Sequence, residues 1–572
     1  MTKKKKKEIF RGGDIVVKGL IEENVRYIFG IVGGQLLPIY DAVYRWGREH
    51  GIDTIAVRHE QAAAHMADAY ARLTGNIGVC MGTVGPGATD MVPGVGAAFS
   101  DNIPVLVITP QLTKKEEGLG SLQGGIDHVS MYEPITKYQK HIHNPDKLEH
   151  FLHRALSEAM AGRPKPVHLD IVVNVLTTSF DKKELLKPNH YRPISKPEAN
   201  TKDIQEAIKL LEKAEKPLLI SGGGVSMSGA WNEVQELAEY LATPVIVTRM
   251  GIGTFNNKHP TFLGGPGLVG GGGTQAASQT DLIIAFGTRF SLILLFGNSP
   301  PWNADAKLIH IDIDPVMIGK NRPVDVGIVS DAKIAAQKML KMIKEKGIKK
   351  RDVSEWTKSL LDLKKNSINK IIKRCEPNTV PIHPSRLVKD VLEFIPDDAI
   401  LAIDGGNILG FIQEQICSMI NRPPRSVLQS VGMGHLGCGL PYAISAKLVH
   451  PDRAVYHFTG DGSFGFNIQE LETAVRYNLP IINVIANDSA WGMIKAGQKN
   501  KFKKRYIDCD LPNINYAEIG KGFGCYGERI TEPEQITEAL KRATESKKPA
   551  VVDVVIDPKK IPMSTILYQN LI

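Results

Sequence analysis

A chain of 572 residues exceeds what a single hydrophobic core organises, so two to four domains are expected. Its 42% hydrophobic and 23% charged content is that of a globular protein in water, and no run of about 18 uncharged apolar residues offers a membrane span. The net charge of +9 does not point to nucleic acid: part of it is the run Lys3 to Lys7, read as a solvated terminus and not a targeting segment, and aromatics at 6% leave little for base stacking.

Three stretches alternate short β-branched runs with amphipathic, Ala- or Leu-rich segments. In the first, strands are expected at Tyr27 to Val32, Asn76 to Met81, Pro104 to Thr109 and Pro166 to Val172, with helices at Ala62 to Leu73 and Leu148 to Met160. The joint from Lys187 to Asn200, with Pro188, Pro193 and Pro197, reads as a surface linker. The second stretch has strands at Pro217 to Ser221, Pro244 to Thr248, Leu282 to Phe286 and Lys307 to Ile313. A second joint, Lys346 to Ile382, contains a charged helical segment ending near Cys375. In the third stretch, Ile400 to Ile403, Val455 to Thr459, Ile481 to Ala486 and Ala550 to Ile556 read as strands, with a crossover helix at Ile468 to Tyr477. Such alternation predicts an α/β fold with parallel, doubly wound sheets covered on both faces. Domains at 1–186, 200–345 and 383–572 are expected. The six cysteines (Cys80, Cys375, Cys417, Cys438, Cys509, Cys525) show no CxxC or metal spacing, which suits packed thiols in a reducing compartment, and the cytoplasm is expected.

The segment Thr459-Gly460-Asp461-Gly462-Ser463 follows one strand of the third stretch, and the next strand delivers Asn487, with 24 residues between Gly462 and Asn487. Both polar residues then sit at carboxyl ends of parallel strands, where α/β sheets bind ligands. Asp461 offers a hard anionic oxygen and Asn487 an amide oxygen, a donor set suited to Mg²⁺ bound to phosphates. Gly460 and Gly462 let the backbone approach, and the N–H groups of the helix start, at Gly462 and Ser463, can receive phosphate oxygens.

This pattern resembles the diphosphate-binding signature of thiamine-diphosphate enzymes. The resemblance implies Mg²⁺ ligands from Asp461, Asn487 and the main-chain carbonyl of Ser489, with Asp488 standing where the family often has a second Asn. The run Gly432 to Pro441 resembles the family's cofactor-bending segment, which implies Leu436 as the apolar wedge between the cofactor rings and the Gly434 carbonyl as a contact of the aminopyrimidine.

Arg58-His59-Glu60-Gln61-Ala62-Ala63 ends a strand and opens a helix, where a carboxylate is favoured by the helix dipole. Gly82 to Gly87, followed by Ala88-Thr89-Asp90, gives a tight loop containing Pro86 on which a flat ring could lie. With Gly33 to Tyr40 and Asp101 to Pro104, these runs resemble the pyrimidine-binding domain of acetohydroxyacid synthase relatives. By that resemblance Glu60 hydrogen-bonds N1′ of the aminopyrimidine, and the site forms between two subunits. A homodimer is implied as the minimum, with a homotetramer frequent among relatives.

Ser221 to Gly224 and His310 to Pro315, each following a strand of the middle stretch, look like a dinucleotide-type shelf with Asp312 placed for ribose hydroxyls. Synthases carrying FAD commonly show an Arg-Phe-Asp-Asp-Arg run where this chain has Arg289 to Ile293. Leu295 to Trp302 is instead similar to 2-hydroxyacyl-CoA lyases and oxalyl-CoA decarboxylases, which hold ADP or CoA, and by the same likeness Arg163 is a phosphate contact. ADP or CoA is therefore expected ahead of FAD, with an empty shelf the next alternative.

Gly120 to Asp127 and Pro134 to Lys137 are similar to benzaldehyde lyase, which implies Gln123 as the first substrate contact and Gln35 as the second. Trp491 and Met493 are candidates for the entrance. The resemblance as a whole implies a lyase or carboligase acting on acyloins or 2-hydroxyacyl-CoA through an enamine. The alternatives are acetolactate synthesis from 2-keto acids such as pyruvate, and a thiamine-diphosphate-binding paralogue without activity. Pro558 to Ile572 reads equally as a lid or as an ordinary tail.

Overall fold

A computed structural model describes residues 10–116, 118–181, 184–265 and 272–563. The Lys3 to Lys7 run and the end of the C-terminal stretch lie outside the described residues. Three six-stranded sheets follow one another along the chain, and every pairing within them is parallel.

The first sheet contains β1 (Tyr27–Gly30), β2 (Asp53–Ala56), β3 (Gly78–Met81), β4 (Val105–Gln111), β5 (Tyr138–Ile142) and β6 (Val167–Val172), in the order β2-β1-β3-β4-β6-β5. The second contains β7 (Pro217–Ser221), β8 (Val245–Val247), β9 (Phe262–Gly264), β10 (Leu282–Phe286), β11 (Lys307–Asp312) and β12 (Val326–Val329), in the order β9-β8-β7-β10-β11-β12. The third contains β13 (Ile400–Ile403), β14 (Val427–Leu428), β15 (Val455–Gly460), β16 (Ile481–Asn487), β17 (Tyr526–Ile530) and β18 (Ala550–Val555), and repeats the order of the first as β14-β13-β15-β16-β18-β17. The middle order is that of dinucleotide-binding folds; in all three sheets the connections reverse direction beside the first strand, which opens a crevice at the carboxyl edge.

Two compact units result. One runs to Ile194 and takes in Ser430–Val449 and Asn467–Tyr477; the other holds Ser195–Gln429, His450–Phe466 and the chain from Asn478 onward. Part of the third stretch thus belongs with the first sheet. Its helix Gly439–Val449 lies against helix Glu60–Thr74, whose alanines (Ala62, Ala63, Ala64, Ala67, Ala69 and Ala71) are all buried and allow close approach. Tyr27 Oη donates to the Leu448 carbonyl at 3.0 Å, and Tyr442 Oη donates to the buried carboxylate of Asp68. Helix Glu60–Thr74 begins at His59, whose Nδ1 accepts from the Gln61 N–H at 3.2 Å, and ends at Gly75 in the left-handed region.

The second joint carries a helix, Glu355–Cys375, N-capped by Ser354, whose hydroxyl accepts from the Thr357 N–H at 3.1 Å. All six cysteines are buried and free. Among the described residues no helix is long and apolar enough to cross a membrane.

Candidate active site

In the first unit, the loops leaving β1, β2 and β3 converge at the carboxyl edge. Glu60 opens its helix directly after β2 and is 7% exposed. Its carboxyl faces the Gly82 to Gly87 loop so closely that a Cβ on Gly87 would stand 2.9 Å from Glu60 Oε1. Burial raises the Glu60 pKa, Asp90 raises it further, and the main-chain N–H of Glu60 and nearby His59 oppose the shift. Gln35, from the loop after β1, accepts from the Thr83 hydroxyl at 3.1 Å. Gln123 has φ 65°, and its carbonyl sits where a Cβ on Gly85 would be, at 2.5 Å. Glu60, Gln35, Gln123 and the Pro86 turn therefore form one cluster. Arg163 does not join it: it precedes β6, at the opposite edge of the same parallel sheet. Gly434 is exposed with φ 65° and open space around it, and Leu436 is half-buried within the same unit.

A second carboxylate supports this cluster and carries no signal in the spacing of motifs. Glu470, wholly buried, accepts the N–H groups of Arg58 (3.0 Å) and His59 (3.1 Å) on Oε1 and the Thr473 hydroxyl (2.6 Å) on Oε2. It thereby fixes the two residues leading into Glu60, while burial pushes its own pKa up to about 7. Glu470→Ala leaves two main-chain donors unsatisfied and is expected to cost about 2–4 kcal/mol in denaturant unfolding. Glu470→Gln keeps an acceptor at Oε1 and is expected to recover most of that; equal losses in the two variants would contradict this account.

In the second unit, β15 and β16 pair in register from Val455↔Ile481 to Gly460↔Ala486, so Asp461 and Asn487 stand at neighbouring strand ends. Both are 2% exposed. The Asn487 amide is held by its own turn and strand: Nδ2 donates to Asp553 Oδ1 and the Ile514 carbonyl, both at 3.0 Å, and Oδ1 accepts the Ser489 N–H and hydroxyl, both at 3.2 Å. The Ser489 carbonyl accepts the Leu511 N–H at 2.8 Å, and Ser489 itself takes φ 49°. These two residues build the turn.

What the turn presents beside Asp461 is the carboxyl of Asp488. Burial first, and then the Asp488 charge, push Asp461 up to about 8, and burial pushes Asp488 up to about 6. The two buried carboxyls adjoin, and each holds its proton more tightly than an exposed carboxyl does. Asp461 Oδ2 is nevertheless buried without a partner. An orphan carboxylate oxygen beside a second carboxylate fits a divalent cation, and Mg²⁺ is held by one or two carboxylates together with phosphates more often than by a full protein cage. Consistently, no group of three or more metal-ligating side chains occurs among the described residues. A Cβ on Gly462 would meet the Trp491 ring at 2.6 Å, so Trp491 is its close neighbour. Ser463 is buried in the short helix that begins at Asp461.

The middle sheet gives its glycines a packing role. A Cβ on Gly222 would lie 2.3 Å from the Gly287 carbonyl oxygen, and one on Gly224 2.6 Å from Gly287 Cα. The turn after β7 is thus closed against the turn after β10. Asp312 Oδ1 accepts the Asp314 N–H at 3.0 Å and so stiffens its own turn.

Residues 10–131 match the thiamine pyrophosphate enzyme N-terminal TPP binding domain, 204–339 the central domain and 409–554 the C-terminal TPP binding domain of the same enzymes. The chain is 36% identical to the probable acetolactate synthase large subunit of Methanococcus aeolicus, over 96% of this chain and 92% of that one. This chain belongs to the thiamine-pyrophosphate enzymes of the acetohydroxyacid synthase superfamily. A second relative, the probable acetolactate synthase large subunit of Methanocaldococcus jannaschii, is also 36% identical, with 97% of this chain and 93% of that one covered. Acetolactate synthase isozyme 3 large subunit of Escherichia coli is 31% identical over 96% and 95%. As a member of this superfamily the protein is a thiamine-pyrophosphate-dependent enzyme with three α/β domains.

Proposed function

We propose that this thiamine-pyrophosphate enzyme joins two 2-keto acids, pyruvate first among them, releasing one carboxylate as CO₂ and forming a 2-hydroxy-3-keto acid. The observation that carries the substrate class is the similarity along nearly the whole chain to proteins named acetolactate synthase. That support favours the synthase over the lyase on acyloins or 2-hydroxyacyl-CoA that the Gly120 to Asp127 run resembles.

When bound, thiamine diphosphate supplies the electron sink for a carbanion next to a carbonyl. The chain's own residues take the remaining roles. Asp461, Asn487 and the main-chain carbonyl of Ser489 would hold the divalent cation, with Asp488 beside Asp461 and Asp553 holding the Asn487 amide. The main chain of Gly462 and Ser463 would face the diphosphate. Glu60 keeps a proton more readily than an exposed glutamate because its carboxyl is desolvated, which suits a group that shares a proton with a ring nitrogen. Leu436 would support the bent cofactor, and Gln35 and Gln123 offer amides to the substrate. The assembly is proposed to be at least a homodimer, with the Glu60 cluster and the Asp461 cluster of one site drawn from different chains.

The test is product analysis by mass spectrometry after supplying thiamine diphosphate and Mg²⁺ with pyruvate, benzoin or a 2-hydroxyacyl-CoA, at several protein concentrations. Acetolactate from pyruvate is expected, with specific activity falling on dilution as subunits separate. Aldehyde release from benzoin or the thioester, with pyruvate inert, would replace the synthase reading by the lyase one.

A further inference from the structure

Beneath the Gly82 to Gly87 loop lies a buried polar network that the reaction outlined above does not use. His128, 1% exposed, places Nδ1 2.9 Å from Asp170 Oδ1, while the Gly85 N–H donates to its Nε2 at 3.2 Å. The Thr109 hydroxyl donates to Asp170 Oδ1 at 2.8 Å and lies 2.7 Å from His168 Nε2, and His141 Nδ1 is 2.8 Å from Asp170 Oδ2.

Hydrogen counting fixes the arrangement. A main-chain N–H can only donate, so His128 Nε2 carries the lone pair and Nδ1 the proton, which Asp170 accepts. The single hydroxyl hydrogen of Thr109 goes to Asp170, so His168 donates to Thr109 from Nε2. Asp170 therefore receives from β4, from β5 and from the His128–Tyr132 helix; burial alone would raise its pKa, but the hydrogen bonds from His128 and His141 outweigh it and hold the carboxyl well below the usual carboxylate range. The imidazole of His128 is thus set in one tautomer, with its acceptor aimed at Gly85.

Gly85 is a turn residue with φ 76° that could not carry a side chain, because the Gln123 carbonyl occupies the place of its Cβ. Two residues on, Gly87 stands against Glu60. We propose that His128, oriented by Asp170, is a positioning residue: its Nε2 anchors the Gly85 N–H and so sets the turn that closes on the Glu60 carboxyl. This deepens the proposed function and rests on its assignment of Glu60 to the cofactor.

Three variants in the full chain separate anchoring from simple packing. His128→Leu fills similar volume without an acceptor; His128→Gln can offer an amide oxygen near the position of Nε2; His128→Asn carries an amide that stops short of Gly85 and replaces the leucine variant should that one not fold. Hydrogen exchange of the Gly85 amide, read in overlapping peptides from the apoprotein, is expected to quicken about tenfold in His128→Leu or His128→Asn and to stay slow in His128→Gln, as loss of one hydrogen bond implies. In turnover assays the variants lacking the acceptor should raise the KM for thiamine diphosphate more than they lower kcat, with the glutamine variant close to wild type. Slow exchange in the leucine or asparagine variant, or fast exchange in the glutamine variant, overturns the anchor. Glu60→Gln run alongside keeps the two readings apart: unchanged turnover there would remove the role of Glu60 whatever the exchange at Gly85 shows.

Discussion

Glu60→Gln is expected to lower turnover by roughly 10²–10⁴-fold while thiamine diphosphate and Mg²⁺ remain bound, the range over which a positioned acid–base group contributes to rate. The substitution preserves shape and removes only the ability to exchange a proton. The surroundings explain why a carboxyl is suited to that task here. Glu60 is buried, Asp90 adds negative charge, and the adjoining Tyr40 stays neutral because burial and the nearby Tyr477 and Glu60 push it up to about 12. The only group among these that favours the carboxylate by its charge is His59, itself 3.7 Å from Asp90. Calorimetric titration of the apo variant with thiamine diphosphate and Mg²⁺ separates binding from turnover. Binding lost together with activity would make Glu60 a structural anchor, and turnover equal to wild type would deny it a proton role.

How far the sequence could be read depended on which physical property left a trace in it. Interior strands such as Leu282–Phe286 and Ile400–Ile403 are buried along their whole length and appear as continuous apolar runs. Strands at sheet edges leave no such run: Asp53–Ala56, Tyr138–Ile142 and Tyr526–Ile530 are partly exposed, carry charges or polar groups, and are not among the expected strands. Helix Gly439–Val449 is largely apolar, but no periodicity tells which sheet an apolar helix will cover, and it joins the first unit.

The same limit applies at the site. Spacing placed Asp461 and Asn487 at adjoining strand ends, which they occupy, yet a one-residue step in a strand reverses the direction of a side chain. Asn487 turns to Asp553 and Asp488 to Asp461. In the middle stretch two backbones in contact demand the same absence of Cβ that a phosphate would, so the glycines alone do not tell the two apart.

Asp461→Ala is expected to abolish Mg²⁺-dependent cofactor loading, whereas Asp488→Asn is expected to keep loading and make the apoprotein more stable above neutral pH. Proton linkage sets the sign. Both carboxyls have folded-state values above those of an unfolded chain, Asp461 at about 8 and Asp488 at about 6, with burial the first cause in each case. A group raised in this way contributes stability that is complete below its unfolded value near 4 and is lost as pH rises through the folded value. The apoprotein should therefore weaken between about pH 4 and pH 8, as first one and then both buried carboxyls must ionise. Replacing Asp488 by Asn removes one of the two charges and the repulsion it exerts on Asp461, worth on the order of 2 kcal/mol at pH 8. A bound divalent cation neutralises the same repulsion, so the advantage of Asp488→Asn should vanish in the loaded enzyme. Thermal melts of both proteins at pH 6 and pH 8, with and without thiamine diphosphate and Mg²⁺, check each sign. An apo wild type as stable at pH 8 as at pH 6, or an Asp488→Asn variant no more stable than wild type at pH 8, would mean that the two carboxyls do not compete for one proton.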